Sequence, residues 1–212
     1  MANVFGSPNK VRTKNRLFEI GFETLQEQGW AIEKVPGMGK SSVRRITKNG
    51  TSKIVSIRTT QDTWIAFPRD KSDTSWVTLS DVDAVVAVSV DDRENPKFAK
   101  VHMIDGKEMR DRFDQAYKAR LEAGHSIPAG QSVWVPLYIE DSTPGHVGGG
   151  AGVKNKEIAL VPLKAKAPAP VIHSSEANHE EKEPPLTLQD AKRRLAITLG
   201  VDPSNIKIII DA

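Results

Sequence analysis

The sequence contains no cysteine, and this absence excludes several classes of site. None of its 212 residues is a cysteine, so a disulfide framework, a thiolate metal site and a thiol nucleophile are all excluded. The chain also lacks an apolar run of the roughly 20 residues that a membrane helix needs, and residues 1–12 lack the apolar core of a signal peptide. These absences predict a cytoplasmic protein with no membrane contact.

Carboxylates are absent from one stretch of the chain, although the formal net charge is only +3. No acidic residue falls between Glu33 and Asp62, where seven basic residues occur: Lys34, Lys40, Arg44, Arg45, Lys48, Lys53 and Arg58. A local excess of positive charge attracts phosphate groups. It is equally typical of the solvated face of an ordinary β-hairpin. The charge pattern alone therefore leaves nucleic-acid binding and a plain solvated surface as alternatives.

Apolar spacing predicts a helix followed by three short strands. Thr13 is a suitable N-cap for a helix whose apolar positions run from Leu17 to Leu25. The polar residues 1–12 before this helix are predicted to be disordered. Asn49-Gly50 is a strong signal for a two-residue hairpin turn. It lies within a meander of three predicted strands, at 30–35, 43–47 and 53–59.

The middle of the chain predicts a central sheet with helices packed against it. Residues 84–90 read AVVAVSV, and a continuous apolar run is typical of a strand buried on both faces. After it come a predicted strand at 100–104, a helix at 107–122 and an edge strand at 132–139 that Pro136 interrupts. Together these elements predict one α/β domain over residues 13–163, with a central mixed sheet and flanking helices.

Aromatic, glycine and histidine residues near these strands allow more than one interpretation. Trp64, Trp76 and Trp134 lie in or beside strands, where a large aromatic side chain usually packs in the core, with base stacking as the less favoured alternative. The glycine-rich stretch 144–152 lacks the context of a phosphate-binding loop. It is predicted to be a flexible surface loop, with a ligand-binding turn as the alternative. The five histidines show no metal-ligand spacing, so no metal site is expected.

The last part of the chain predicts a tethered segment. Residues 164–185 are rich in Ala, Pro and charge and predict a disordered linker. Residues 186–212 predict one helix and one strand, which bury too little apolar surface to fold alone. This segment is expected to dock on the chain's own sheet or on a second molecule, either a protein partner or another copy of the chain. The expected docking residues are Leu188, Leu195, Leu199, Ile206, Ile208 and Ile210.

The order of the first elements resembles the restriction-endonuclease-like PD-(D/E)xK superfamily. A helix ends in the sequence EQGW at 27–30, a basic three-strand meander follows, and its third strand reads IVSIRTT at 54–60. The tryptophan-containing strand, the run Asp81–Val88 and the strand and helix after it are similar to later elements of that family. The resemblance spans residues 13–123. It implies a restriction-endonuclease-like core that acts on nucleic acid, with DNA the expected partner.

Under this resemblance the catalytic motif is degenerate. Ser56 stands where the family has a metal-binding Glu, Arg58 stands where it has a Lys, and no acid occurs near Ser42 or Val43, the position of the family's Asp. Catalysis of that type requires carboxylates that hold a divalent ion beside the phosphate. Arg58 stays protonated, so it can bind phosphate but cannot replace a lysine in proton transfer. The resemblance therefore implies an inactive domain without a metal cofactor.

The sequence supports three hypotheses about function. The leading one is a catalytically inactive nuclease-like domain that binds the nucleic-acid backbone through Lys40, Arg44, Arg45, Lys53, Ser56 and Arg58. The second is an active nuclease with Mg²⁺ as cofactor and relocated carboxylates, of which Glu19 and Asp62 are the nearest candidates. The third is an adaptor or assembly subunit that binds protein partners through residues 186–212.

Overall fold

The structure is a computed structural model that describes residues 8–35 and 42–164. Three helices lie in these ranges: α1 (Pro8–Glu27), α2 (Gly106–Glu122) and α3 (Ala151–Lys154). The strands in the same ranges are β1 (Ala31–Lys34), β2 (Val43–Lys48), β3 (Thr51–Thr60), β4 (Trp64–Pro68), β5 (Ala84–Val90), β6 (Phe98–Asp105), β7 (Ser132–Pro136) and β8 (Ala159–Pro162). The meander and the strand at 84–90 lie close to where the sequence predicts them.

Six of these strands form one mixed sheet, in the order β1-β2-β3-β5-β6-β8, whereas β4 and β7 form a separate antiparallel ribbon. Neighbours in the large sheet are antiparallel except β3 and β5, which run parallel with Val55 opposite Ala84. The β2–β3 hairpin turns at Asn49 and Gly50, whose φ angles are 49° and 77°. Two positive φ angles are what a type I′ turn requires. The predicted mixed sheet with flanking helices is confirmed.

Apolar layers cover both faces of the large sheet, and β5 lies between them. All seven residues of β5 are buried, as its continuous apolar sequence predicts. Because side chains alternate along a strand, Val86 and Val88 pack in the layer that contains Leu17 of α1. Val85 packs on the other face, in the layer that contains Phe113 of α2 and the inner side of the β4–β7 ribbon. Helix α1 thus covers one face, and α2 with the ribbon covers the other.

Helix α1 begins earlier than the sequence-based prediction. Its first residue is Pro8, and Thr13 lies inside it, where the Thr13 Oγ1 donates to the carbonyl oxygen of Asn9 at 3.0 Å. The predicted N-cap at Thr13 is therefore wrong, and residues 8–12 are helical rather than disordered. The physical reason is that proline is well tolerated in the first helical turn, where its missing N–H would have no partner in any case.

The glycine-rich stretch is packed against the domain, so the prediction of a flexible surface loop is wrong for residues 148–152. Gly148 and Gly150 have φ angles of 83° and 82°. A Cβ atom on Gly148 would lie 2.2 Å from the carbonyl oxygen of Arg112, and one on Gly152 would lie 2.5 Å from the Tyr138 ring. Glycine at these positions lets the backbone approach α2 and the segment after β7 closely.

The end of the described chain differs from the prediction in two strands. β7 stops at Pro136 and pairs with β4 instead of joining the large sheet. β8, which the sequence analysis does not predict, forms the edge of the large sheet beside β6. The linker predicted at 164–185, apart from Lys164, and the docking segment predicted at 186–212 lie outside the described residues.

Candidate nucleic-acid interface

A cleft opens where β3 extends past the end of β2. Val43, the first residue of β2, pairs with Ser56, so within the described ranges the last residues of β3 have a strand neighbour only on the β5 side. Helix α1 and the β4–β7 ribbon contribute the residues that border this open edge. The cavity has a volume of about 1140 Å³ and is lined by, among others, Lys10, Lys14, Phe18, Glu19, Arg58, Asp62, Trp64, Arg93 and Trp134.

Arg58 contributes a half-buried positive charge to the cleft. Its guanidinium carbon lies 4.3 Å from the centroid of the Phe67 ring, a cation–π contact that orients the planar group. Its Nε is buried without a hydrogen-bond partner, and no carboxylate in the described part of the chain pairs with it. Burial lowers the pKa of this guanidinium, because desolvation disfavours the charged form. An anion that enters the cleft would supply the missing negative charge and could accept charge-assisted hydrogen bonds from the guanidinium.

Two lysines at the start of α1 add positive charge to the same cavity. Lys10 and Lys14 are four residues apart and therefore share one face of the helix, and both line the cleft. The Nε2 of Gln61 donates to the carbonyl oxygen of Lys10 at 2.8 Å, which ties the start of α1 to the turn after β3. Arg93, from the β5–β6 loop, is exposed and lies 3.7 Å from Glu94. The cations of the cleft thus come from three separate parts of the chain.

Glu19 and Asp62, the relocated carboxylates of the second hypothesis, also line this cavity. The Oδ1 of Asp62 accepts hydrogen bonds from the Thr60 hydroxyl at 2.7 Å and the Trp64 backbone N–H at 3.2 Å. Glu19 lies 3.4 Å from Arg16 on the exposed side of α1. Among the residues that the structure describes, no three His, Asp or Glu side chains are grouped so that they could hold a metal ion.

Two tryptophans form an aromatic wall of the cleft. Trp64 and Trp134 both line it, and the residues that alternate with them along the ribbon, such as Ile65 and Val133, are buried in the core. Trp134 is 50% exposed, whereas Trp76 is 2% exposed. Core packing is therefore confirmed for Trp76 and wrong for Trp134, because strand alternation places Trp134 on the outer face of the ribbon.

No family model matches this chain, and no curated protein or solved structure does either. None of the helices in the described ranges is long and apolar enough to cross a membrane. The cleft combines a cation that no described carboxylate pairs with and exposed aromatic surface, and these two properties indicate what kind of ligand it can bind.

Ser56, predicted to bind nucleic acid, lies in the interior. Its side chain has no exposure, and its hydroxyl has no hydrogen-bond partner among the described residues. Residues two apart on a strand share a face, so Ser56 and Arg58 point to the same side of the sheet. Only Arg58 lies beyond the end of β2, where the cleft opens. Ser56 therefore cannot contact a ligand in this cleft.

Most of the other predicted cations lie elsewhere on the meander. The guanidinium carbon of Arg44 lies 5.1 Å from the centroid of the Phe22 ring, so Arg44 packs against α1. Lys40 is outside the described residues. Of the predicted cations that the structure describes, Arg58 is the one that lines the cleft. Two more lie farther along the meander and do not line it: Arg45 and Lys53.

Lys10 and Lys14 line the cleft although the sequence pattern does not predict them there, and Trp134 lines it although the pattern favours core packing over base stacking. Lys10 falls in residues 1–12, which are predicted to be disordered, although Lys10, Lys14 and Phe18 have the i, i+4, i+8 spacing of one helix face. Trp134 lies between Val133 and Val135, and this alternation is the sequence signal for an aromatic residue on the outer side of a half-buried strand.

Proposed function

We propose that this protein is a catalytically inactive nuclease-like domain that binds the nucleic-acid backbone in the cleft, with DNA the expected partner. The observation that carries the proposal is the half-buried guanidinium of Arg58, which no carboxylate in the described residues neutralises. A phosphodiester supplies negative charge and acceptor oxygens in a geometry that suits a guanidinium. Lys10 and Lys14 provide further cations along the same cavity.

The order of elements supports the nuclease-like part of the proposal. Helix α1, the β1–β2–β3 meander, the tryptophan-containing β4, the buried β5, and then β6 and α2 follow one another as the PD-(D/E)xK resemblance implies. The proposed lack of catalytic activity rests on the chemistry of two side chains. Ser56, at the position of the family's Glu, is neutral and fully buried, and an arginine at the position of its Lys does not release a proton near neutral pH.

Fluorescence anisotropy with labelled DNA at low ionic strength tests the proposal. We expect a complex whose affinity falls steeply with added salt, because the contacts are mainly electrostatic. Arg58→Ala should weaken binding about tenfold or more, since hydrogen bonds to charged groups contribute about 1.5–3 kcal/mol.

Arg45→Ala is the matched control for this experiment. It removes the same charge from an exposed position on β2 that does not line the cleft, and the affinity should change by less than about threefold. A protein that binds neither DNA nor RNA at low salt would overturn the proposal. Equal losses in the Arg58 and Arg45 variants would also count against it, because they would extend the binding surface to β2 residues outside the cleft.

A second candidate, an active metal-dependent nuclease, is favoured by one observation: Glu19 and Asp62 line the same cavity as Arg58. Carboxylate oxygens are the ligands that Mg²⁺ prefers in proteins. Incubation with plasmid DNA and Mg²⁺ or Mn²⁺ separates the two candidates. Cleavage that is lost in Glu19→Gln and Asp62→Asn, but retained in the control Glu23→Gln on the same helix, would establish the second candidate. An intact plasmid in all samples supports the inactive domain.

A further inference from the structure

The outer face of the β4–β7 ribbon adds exposed aromatic side chains to the positively charged cleft. Trp64 pairs with Pro136, and Ala66 pairs with Trp134. The two tryptophans are therefore diagonal neighbours on one face, with backbones roughly 7–8 Å apart. The small side chain of Ala66 shares this face and also lines the cavity. Two large flat rings with a small residue beside them leave room for another planar group.

The domain does not use Trp134 to fill its core. Half of its surface is exposed, and the core residues of the ribbon lie on the opposite face. Exposed tryptophan is characteristic of binding surfaces, because it offers a large apolar area with a polar N–H. Trp64 contacts His146, with ring centroids 5.5 Å apart and the rings tilted by 47°. His146 is in turn held by Asp141, whose Oδ2 lies 2.6 Å from the His146 Nδ1.

Charged and aromatic residues border one and the same cavity. Lys10, Lys14 and Arg58 can contact phosphates, while Trp64 and Trp134 offer π-faces. The volume of about 1140 Å³ is close to the upper end of the roughly 300–1,000 Å³ of small-molecule pockets. Such a cavity has room for a few nucleotides but not for a turn of double helix. In a duplex each base is already stacked on its neighbours, so unpaired nucleotides are the form that can stack on protein aromatics.

We propose that the cleft binds single-stranded nucleic acid, with unpaired bases stacked on Trp64 and Trp134 while the phosphates contact Arg58, Lys10 and Lys14. This inference rests on the proposed function and narrows it from nucleic acid in general to unpaired strands. Stacking is tolerant of base identity, because every base has a π-face. The cleft therefore distinguishes single strands from duplex and does not distinguish one base sequence from another.

Three labelled probes test this inference in anisotropy titrations at low salt. They are an oligodeoxythymidylate of about 12 nucleotides, within the usual range of site sizes, an abasic strand of the same length, and a duplex of the same length. The abasic strand keeps the phosphates and lacks the bases. We expect the oligodeoxythymidylate to bind about tenfold or more tightly than either of the other two probes.

Variants of the aromatic wall identify the source of that difference. Trp134→Ala should weaken oligodeoxythymidylate binding about 5- to 150-fold, the range for one lost stacking contact, and should leave the abasic strand unaffected. Trp134→Phe keeps an aromatic face and should retain most of the affinity, and unchanged binding of the abasic strand by Trp134→Ala excludes a folding defect as the cause. Leu160→Ala is the control, because Leu160 is an apolar side chain of similar exposure, 53%, on β8.

The outcomes separate this inference from the proposed function. If the duplex binds as well as the single strand, Arg58→Ala weakens both and Trp134→Ala weakens neither, then the proposed function stands and base stacking is overturned. If no probe binds, both are overturned. If Trp134→Ala abolishes self-association in light scattering while probe affinities stay unchanged, the aromatic wall is a protein-docking surface and the stacking inference is wrong.

Discussion

A buried chain of hydrogen bonds joins β5, β6 and the segments that flank α3. The Nδ1 of His102 lies 2.7 Å from the carbonyl oxygen of Asn155, and its Nε2 lies 2.9 Å from the Tyr138 hydroxyl. A carbonyl oxygen only accepts, so Nδ1 carries the proton and Nε2 accepts from Tyr138. The Ser89 hydroxyl, 2.6 Å from the Tyr138 oxygen, then donates to it. The hydrogen bonds of this buried series therefore all donate in the same direction, from Ser89 through Tyr138 and His102 to the carbonyl oxygen of Asn155.

Replacing Tyr138 with Phe removes the central hydroxyl of this chain and keeps the ring. His102 and Ser89, whose side chains have no exposure, each lose a partner. A buried polar group left without a hydrogen bond costs about 1–3 kcal/mol. Two such groups should lower the free energy of unfolding by about 2–6 kcal/mol, a large part of the roughly 5–15 kcal/mol that is typical of a domain.

Urea denaturation followed by circular dichroism measures this loss as a shift of the midpoint at unchanged m value. Tyr117→Phe is the matched control, since the same hydroxyl is removed from a partly exposed ring whose partner is Asp73, at 2.5 Å. Its destabilisation should be much smaller. A Tyr138→Phe variant within about 0.5 kcal/mol of the parent would refute the reasoning, because it would mean that His102 and Ser89 find other partners.

Two further predictions concern buried groups. Burial lowers the pKa of His102. When the pH falls below the ordinary histidine pKa of 6.5, the unfolded chain therefore takes up a proton that the folded chain does not. The free energy of unfolding should fall by at most about 1.4 kcal/mol per pH unit between pH 6.5 and 5, and equal urea midpoints at both pH values would contradict this. Gly148→Ala forces a Cβ to within 2.2 Å of the Arg112 carbonyl oxygen, whereas Gly130→Ala has a similar φ of 81° and open space. The Gly130 variant should cost only the roughly 1–2 kcal/mol of a left-handed residue and the Gly148 variant clearly more; equal losses in thermal melts would show that Gly148 is not tightly packed.

Features that depend on residues close together in the chain follow from the sequence alone. The apolar run of β5 is buried on both faces, and Asn49-Gly50 forms the expected hairpin turn. Helix α2 begins beside Asp105, whose carboxylate accepts from the backbone N–H groups of the first turn, and it ends before Gly124, close to the predicted limits. Propensity, capping and periodicity act over a few residues, so these features need no knowledge of the rest of the fold.

The cleft depends on contacts that no local pattern encodes. Lys10, Arg58 and Trp134 come from a helix, a strand of the large sheet and a strand of the ribbon. Within the described ranges the pairing of β2 with β3 ends at Ser56, so Ser56 is covered by β2. Arg58 lies past this last pair and lines the cavity. The residue order specifies most of the strands, helix α2 and the charge of the meander, but not β8 or the start of α1. Which cation shares a cavity with the tryptophans is decided by the tertiary structure, because burial, desolvation and pairing arise between residues far apart in the chain.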